Sequence, residues 1–216
     1  MQNKKQLVYW SLAAVIIIAI AGVVFYQHSK NNPGNLGQTN VSLVEPRGNT
    51  PRSAPKDGGF KNFTIPVPGV LSRSGQPSLA DFQWLKANGW KSDIDVRIDG
   101  EKKDIALDSK IPGFDALGLH YLEIPIPDMT APTAAQADQF LRFVTDPKNQ
   151  PALVHCSEGI GRTGVLVAIY RYSVQGWSMS AAVEEADLYK KNGAFDKHQS
   201  NFLKSWTETH QPGSYK

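Results

Sequence analysis

One run of fifteen residues, from Pro151 to Val165, constrains this chain more than any other. Ala152-Leu153-Val154 is a short apolar stretch of strand character, and Val165 to Tyr170 is apolar enough for a buried helix. Between them stands His155-Cys156-Ser157-Glu158-Gly159-Ile160-Gly161-Arg162-Thr163-Gly164. A strand, a glycine-rich loop and a helix in that order require a sheet with a helix packed back against it. They also put the one cysteine of the chain at the strand end and an arginine at the helix start.

The segments around this run repeat the alternation. Val70-Leu71-Ser72 reads as a first strand, leading into Arg73-Ser74-Gly75-Gln76-Pro77. Ser78 is placed to cap a helix through Asn88, with Leu79, Phe82 and Leu85 on one face and Gly89 as its stop. Ser92 to Ile98 alternates, with Ile94, Val96 and Ile98 apolar, which predicts a strand. Residues 99–118 are polar and loop-like, and Leu119 to Ile126 predicts another strand that enters the proline-rich loop 125–132. Thr133 begins a helix to Thr145, with Ala137, Phe140, Leu141 and Val144 facing inward. Further helices are predicted over 162–175, 178–191 and 197–209. The expected fold class is α/β, with a mostly parallel central sheet flanked by helices on both faces.

Upstream of this domain, residues 7–26 form a run of 20 positions without a charge. As a helix that length spans a hydrocarbon core of about 30 Å, and Tyr9, Trp10 and Tyr26 fit the interfacial aromatic belt. A cleaved signal peptide would use Ala19-Ile20-Ala21, but the apolar run continues past that site. The reading is therefore one transmembrane helix ahead of the domain, with 1–26 as a membrane anchor. Residues 27–59, rich in Asn, Gly, Pro, Ser and Thr, form a flexible linker, and 60–216 the catalytic domain. Lys4 and Lys5 precede the span and only Lys30 follows closely. This asymmetry keeps the N-terminus in the cytoplasm and places the domain in the periplasm or outside the cell, tethered to a bacterial inner membrane.

The formal charge of +3, without a dense Lys/Arg stripe, argues against a nucleic-acid partner. One cysteine excludes an intrachain disulfide framework, and the five histidines show no paired ligand spacing. No metal and no cofactor are expected.

The loop has its own chemistry. Gly159 and Gly161 let successive backbone N–H groups turn inward around an anion. The helix opening at Arg162 adds its positive end, and the guanidinium can grip two oxygens of a phosphoryl group in a planar fork. The same field lowers the pKa of the Cys156 thiol and readies it as a nucleophile toward phosphorus.

These residues resemble the His-Cys-x5-Arg-Ser/Thr-Gly signature of the protein tyrosine phosphatases. The resemblance covers roughly residues 60–210. It implies Cys156 as nucleophile and Arg162 as the phosphoryl-binding cation. Thr163 becomes the donor to the departing sulfur, and His155 a support for the loop. Ser157, Glu158, Gly159, Ile160 and Gly161 would join Arg162 in binding phosphate through backbone N–H groups. The family also needs a general acid on an upstream loop. Asp128, which is 28 residues before Cys156 and framed by Pro127 and Pro132, matches better than Asp115, Asp138 or Asp146. Taken alone, Asp128 reads as a turn residue beside prolines.

The domain length, the stretch Val70–Pro77 and Asp95-Val96-Arg97 resemble compact dual-specificity phosphatases of bacterial type. Gln199 weakly matches a glutamine of the last helix in that family and is left out of the site. Glu158 stands where many relatives have a small residue. Its carboxylate would either disfavour polyanionic substrates or pair with a nearby cation. The loop lacks lysines, and Ile160 stands where some relatives are basic. The expected substrates are therefore phosphorylated proteins or small phosphate esters. Phosphoinositides or nucleotides are the alternative substrates, and a non-catalytic phosphate-binding pseudophosphatase the alternative function. A buried structural cysteine explains neither the glycines nor the arginine. Sulfur transfer has no use for Asp128, and arsenate reduction wants resolving thiols that this chain lacks.

Overall fold

The structure is a computed structural model that describes residues 60–101, 106–190 and 193–215. The expected membrane span at 7–26 and the linker 27–59 lie outside the described residues. Among the described residues no helix is long and apolar enough to cross a membrane.

Five strands, β1 (Thr64–Val67), β2 (Leu71–Ser74), β3 (Ser92–Asp95), β4 (His120–Glu123) and β5 (Ala152–His155), form one sheet in the order β1-β2-β5-β3-β4. Only β1 runs antiparallel, paired to β2. The other pairings are parallel, and β5 lies at the centre. Register aligns the carboxyl ends of the central strands: His155 sits opposite both Ser74 and Asp95. Loops at those ends therefore converge, as they do in other open α/β sheets.

Helices follow in chain order as α1 (Leu79–Ala87), α2 (Ala134–Thr145), α3 (Gly161–Ser173), α4 (Met179–Asp187) and α5 (Lys197–Thr209). Ser78, Thr133, Ser178 and Asp196 cap four of them through their side chains, three in reciprocal capping boxes. Strand alternation divides the core. Leu153 faces one side of the sheet, toward Phe82 and Leu85 of α1 with Trp90 and Phe114. Ala152 and Val154 face the other, toward α2 and α3. Both faces are covered, and α3 is buried from Arg162 to Ser173.

Several boundaries differ from those the sequence pattern predicts. The strand predicted over 92–98 ends at Asp95, and that over 119–126 is His120–Glu123. In both cases hydrogen bonds to the neighbouring strand continue briefly past the strand end, from Val96 N to His155 O, Ile124 N to Asp95 O and Ile126 N to Val96 O, before the chain enters the site. The helix predicted over 178–191 stops at Asp187. β1 was not predicted, because Pro66 and Pro68 mask a short edge strand. The loop 99–118 contains two 3-10 turns, Asp108–Lys110 and Asp115–Leu117.

Candidate active site

The loop between β5 and α3 forms the floor of an open pocket of about 380 Å³. Cys156, Ser157, Glu158, Ile160, Gly161 and Arg162 line it, with Asp128 and Met129 on one side and Lys190, Ala194, Phe195, Asp196 and Gln199 on the other. α3 is the one helix in the list above with no side-chain cap: Ile160 stands at its N-cap. Its first-turn N–H groups are therefore left for an anion.

Amides of the loop and of the first turn reach the sulfur. Gly159 N–H donates to Cys156 Sγ at 3.2 Å. Burial pushes the Cys156 thiol up, but hydrogen bonding from Thr163, the charge of Arg162 and the amides of Thr163 and Glu158 outweigh it, so its pKa lies below the ordinary value. The Thr163 hydroxyl is buried without another hydrogen-bond partner. The loop's tight path needs glycine at 159. Its φ is 71°, and a Cβ there would lie 2.4 Å from Gly75 N and from Ser74 C.

Arg162 is almost fully buried. Its Nη1 donates to Ile126 O at 2.9 Å. Its terminal fork also meets both carboxylate oxygens of Glu101, with Nη2 to Oε1 at 2.6 Å. Ser157 Oγ donates to the same Oε1 at 3.3 Å. Burial raises the Glu101 carboxyl, yet the Arg162 contact holds it below the usual carboxylate range. Asp128 lies across the pocket with Oδ1 at 3.3 Å from Arg162 Nη2, and its side chain is 56% exposed. Asp115 stands in a 3-10 turn, Asp138 on α2 and Asp146 at the end of that helix, and none of them lines the pocket.

Behind the loop, His155 is fully buried, with Nε2 at 2.6 Å from Asp108 Oδ2 and 3.4 Å from Asp93 Oδ1. Asp108 also accepts from Gln76 at 2.7 Å and from Arg97 at 3.1 Å. Arg97 forms a second, two-pronged pair with Asp95. Burial pulls the His155 pKa down, but Asp108, Asp93 and Asp95 raise it well above the ordinary imidazole value. Burial pushes Asp93 up to about 8. Two acidic side chains, Asp108 ionised and Asp93 holding its proton, thus meet an imidazole that sequence spacing left isolated. The short Asp108 contact is a hydrogen bond that holds the ring and, through it, the strand end.

The remaining loop residues have clear positions. Glu158 borders the pocket, but its carboxylate turns to Lys61 at 2.6 Å, both side chains being about half exposed. Of the two fates expected for it, pairing with a cation is the one found. Its carbonyl accepts from Asn62 Nδ2 at 2.8 Å, and Ser157 O accepts from Gln76 N at 3.1 Å. The segments 60–62 and 74–76 thereby clamp the outer turn of the loop. Gln199, omitted on sequence grounds, is buried here. It donates from Nε2 to Thr130 O at 3.0 Å, and a Cβ on Gly161 would lie 2.8 Å from that nitrogen. Sequence reasoning also missed Glu101, Asp93 and Asp108. Asp93 and Asp95 occupy polar positions of an alternating strand, a pattern that normally marks a solvent face.

Comparison with known proteins gives the family. The family model "DSP-PTPase phosphatase fused to NAD+ Kinase" matches residues 66–205. A probable chloroplastic NAD kinase 2 of Oryza sativa subsp. japonica is 34% identical over 103 residues, 47% of this chain and 10% of that protein. The chain thus spans about a tenth of that relative's length. Inositol diphosphatase DSP3 of Arabidopsis thaliana is 30% identical over 152 residues, 67% of this chain and 70% of that protein. Among solved structures, the active form of Tk-PTP superposes with a TM-score of 0.54 at 26% identity, covering 65% of this chain and 93% of that one. The match spans the sheet, the Cys156 loop and the helices around it, and the chain belongs to the dual-specificity branch of the protein tyrosine phosphatase superfamily.

Proposed function

We propose that the domain hydrolyses phosphate monoesters through a phosphocysteine intermediate. The observation that carries this reading is that Cys156, Arg162 and Asp128 line one pocket open to solvent, with Asp128 Oδ1 3.3 Å from Arg162 Nη2 and the Arg162 charge lowering the Cys156 pKa. In the first step the Cys156 thiolate attacks phosphorus, and the bond from phosphorus to the ester oxygen breaks. Arg162 and the loop amides hold the equatorial oxygens, and Asp128 gives its proton to the departing oxygen. In the second step Asp128 takes a proton from water as that water attacks phosphorus. The sulfur–phosphorus bond then breaks, Thr163 donates to the released thiolate, and inorganic phosphate leaves. Glu101 keeps the Arg162 fork oriented through both steps.

For substrate, the pocket favours a phosphorylated protein side chain or a small aryl phosphate. Among the described residues its lining holds two cations, Arg162 and Lys190, against Asp128, Glu158 and Asp196. Met129, Ile160, Ala194 and Phe195 supply apolar wall for a ring. An inositol diphosphate, the substrate suggested by the name of the Arabidopsis relative, would call for more positive charge. We further place the domain outside a bacterial inner membrane, tethered through 27–59 to a span at 7–26, on the charge asymmetry of the sequence. Protease added to spheroplasts should cleave it.

The test of the chemistry uses the full chain with p-nitrophenyl phosphate and chelator. Turnover is expected without metal and should fall by about 10⁴-fold or more in Cys156→Ser. Metal-dependent turnover that survives the substitution would refute the reading. A panel of phosphotyrosine, phosphoserine and inositol phosphate substrates then ranks the substrate classes.

A further inference from the structure

Arg73 is a buried cation that the mechanism above does not use. It is the third residue of β2, 1% exposed, on the same strand face as Leu71. Its register partner on the central strand is Val154, two residues before the nucleophile. The side chain runs beneath the phosphate loop. Nη2 donates to Gly159 O at 2.6 Å and reaches Ile160 O at 3.4 Å. The guanidinium carbon lies over the Tyr189 ring, 3.7 Å from its centroid. Nε and Nη1 are buried without a hydrogen-bond partner. Among the described residues no carboxylate lies within ion-pair distance of it.

A guanidinium buried this way costs much stability unless something offsets it. Two carbonyls and a ring face are a thin offset, which directs attention to what those carbonyls do. In a trans peptide the C=O and the following N–H point in opposite directions. Carbonyls of Gly159 and Ile160 held down toward Arg73 therefore turn the N–H groups of Ile160 and Gly161 up toward the pocket.

We propose that Arg73 is a positioning residue for oxyanion binding: from behind the loop it fixes the Gly159–Ile160 and Ile160–Gly161 peptide planes so that their N–H groups face the phosphoryl oxygens. The inference rests on the phosphatase reading. Burial pulls the pKa of Arg73 down, while Tyr189, Cys156 and Glu185 push it back up, so the nucleophile's charge also helps to offset the buried guanidinium. The charged groups around the sulfur are Arg162 from α3 and Arg73 from β2. Glu101 and Asp128 lie beyond Arg162, and Lys190, Glu158 and Asp196 line the same pocket.

The test compares the full chain with Arg73→Lys and Arg73→Met. Lysine keeps the charge on a shorter, non-planar head, so it loses the guanidinium plane that lies over Tyr189 and aims Nη2 at the two carbonyls. Competitive inhibition by inorganic phosphate should weaken about tenfold in Arg73→Lys, the size of one lost charge-assisted hydrogen bond. Arg73→Met should weaken it further and shift the pH midpoint of Cys156 alkylation by iodoacetamide upward. A folded Arg73→Lys variant whose phosphate inhibition stays within about twofold of wild type overturns the proposal, whatever its melting temperature, because a packing role alone would leave oxyanion affinity intact. Should Arg73→Met fail to fold, the lysine variant decides alone. A wild-type chain without turnover would instead overturn the phosphatase reading.

Discussion

The two sides of the phosphate loop are held in different ways. The back is clamped by fully buried groups: His155 between Asp108 and Asp93, Arg73 beneath two carbonyls, and the 74–76 backbone against Gly159. The front is loose. Asp128 is more than half exposed, Met129 beside it is 62% exposed, and one side-chain amide, from Gln199, ties their loop to α5. The difference matches the demands of the chemistry. A nucleophile and its oxyanion donors act by staying fixed, whereas an acid must follow a leaving group that departs and a water that arrives.

The rigid side should break hardest. Gly159→Ala places a methyl 2.4 Å from the 74–75 backbone at a φ of 71°. The loop must move, so we expect a loss of about 3 kcal/mol of stability and about 1000-fold in kcat, read by urea unfolding and steady-state kinetics. Asp128→Ala should separate the two sides. Turnover of phenyl phosphate should fall about 10²–10³-fold, while esters of very acidic alcohols lose far less and unfolding stays within about 0.5 kcal/mol. An equal loss across leaving groups would move the acid role elsewhere.

The back also titrates. Asp93 and His155 both hold their protons more tightly in the fold than in the unfolded chain, where they titrate near about 3.9 and about 6.5. The sign is the same for both: their stabilising effect is complete at low pH and is lost as pH rises toward and past about 8. Asp108, held below its ordinary value chiefly by His155 against its burial, has the opposite sign and loses its contribution in acid. Unfolding free energy should therefore decline between about pH 5.5 and about pH 8, by at most about 1.4 kcal/mol per pH unit for each proton. Asp93→Asn should flatten that decline. A wild-type profile as flat as the variant's would show that Asp93 is ionised throughout.

The contrast also explains what could be read in the sequence. Strand, loop and helix around Cys156 were legible because apolar runs, glycines and an arginine six residues on leave few alternatives. The helix starts were legible because Ser78 and Thr133 carry the cap chemistry themselves. The back of the site was not. Asp93, Asp95 and Arg97 alternate with apolar residues as a solvent-facing edge would, and only the second covering layer buries them. Glu101 was hidden for another reason. It stands in a polar loop without periodicity, and its meeting with Arg162 across 61 positions is fixed by tertiary path alone. Arg73 had a signal, a charge beside strand residues, but no local pattern tells a buried arginine from an exposed one.

Gln199 is the smallest and most specific test of the loose side. Its Oε1 accepts from Asp196 N, closing the capping box of α5, and its Nε2 donates to Thr130 O, two residues beyond Asp128. The remaining hydrogen bonds within 127–131 are local, Thr130 to Pro127 O and Met129 N–H to Asp128 Oδ1, and the ion pair of Asp128 with Arg162 is more than half exposed on the Asp128 side. Removing the amide in Gln199→Ala should therefore free the acid's loop without touching the nucleophile. We expect kcat for phenyl phosphate to drop about five-fold, in line with one neutral hydrogen bond. Inhibition by inorganic phosphate and the pH midpoint of Cys156 alkylation should stay unchanged. Gln199→Glu keeps the capping box acceptor but cannot donate to Thr130 when ionised, so its kcat should fall at least as far, and its added negative charge in the pocket lining should weaken phosphate inhibition where alanine does not. If phosphate inhibition weakens as much as turnover in Gln199→Ala, Gln199 acts through its packing on Gly161, and the two sides of the loop are less independent than their contacts imply.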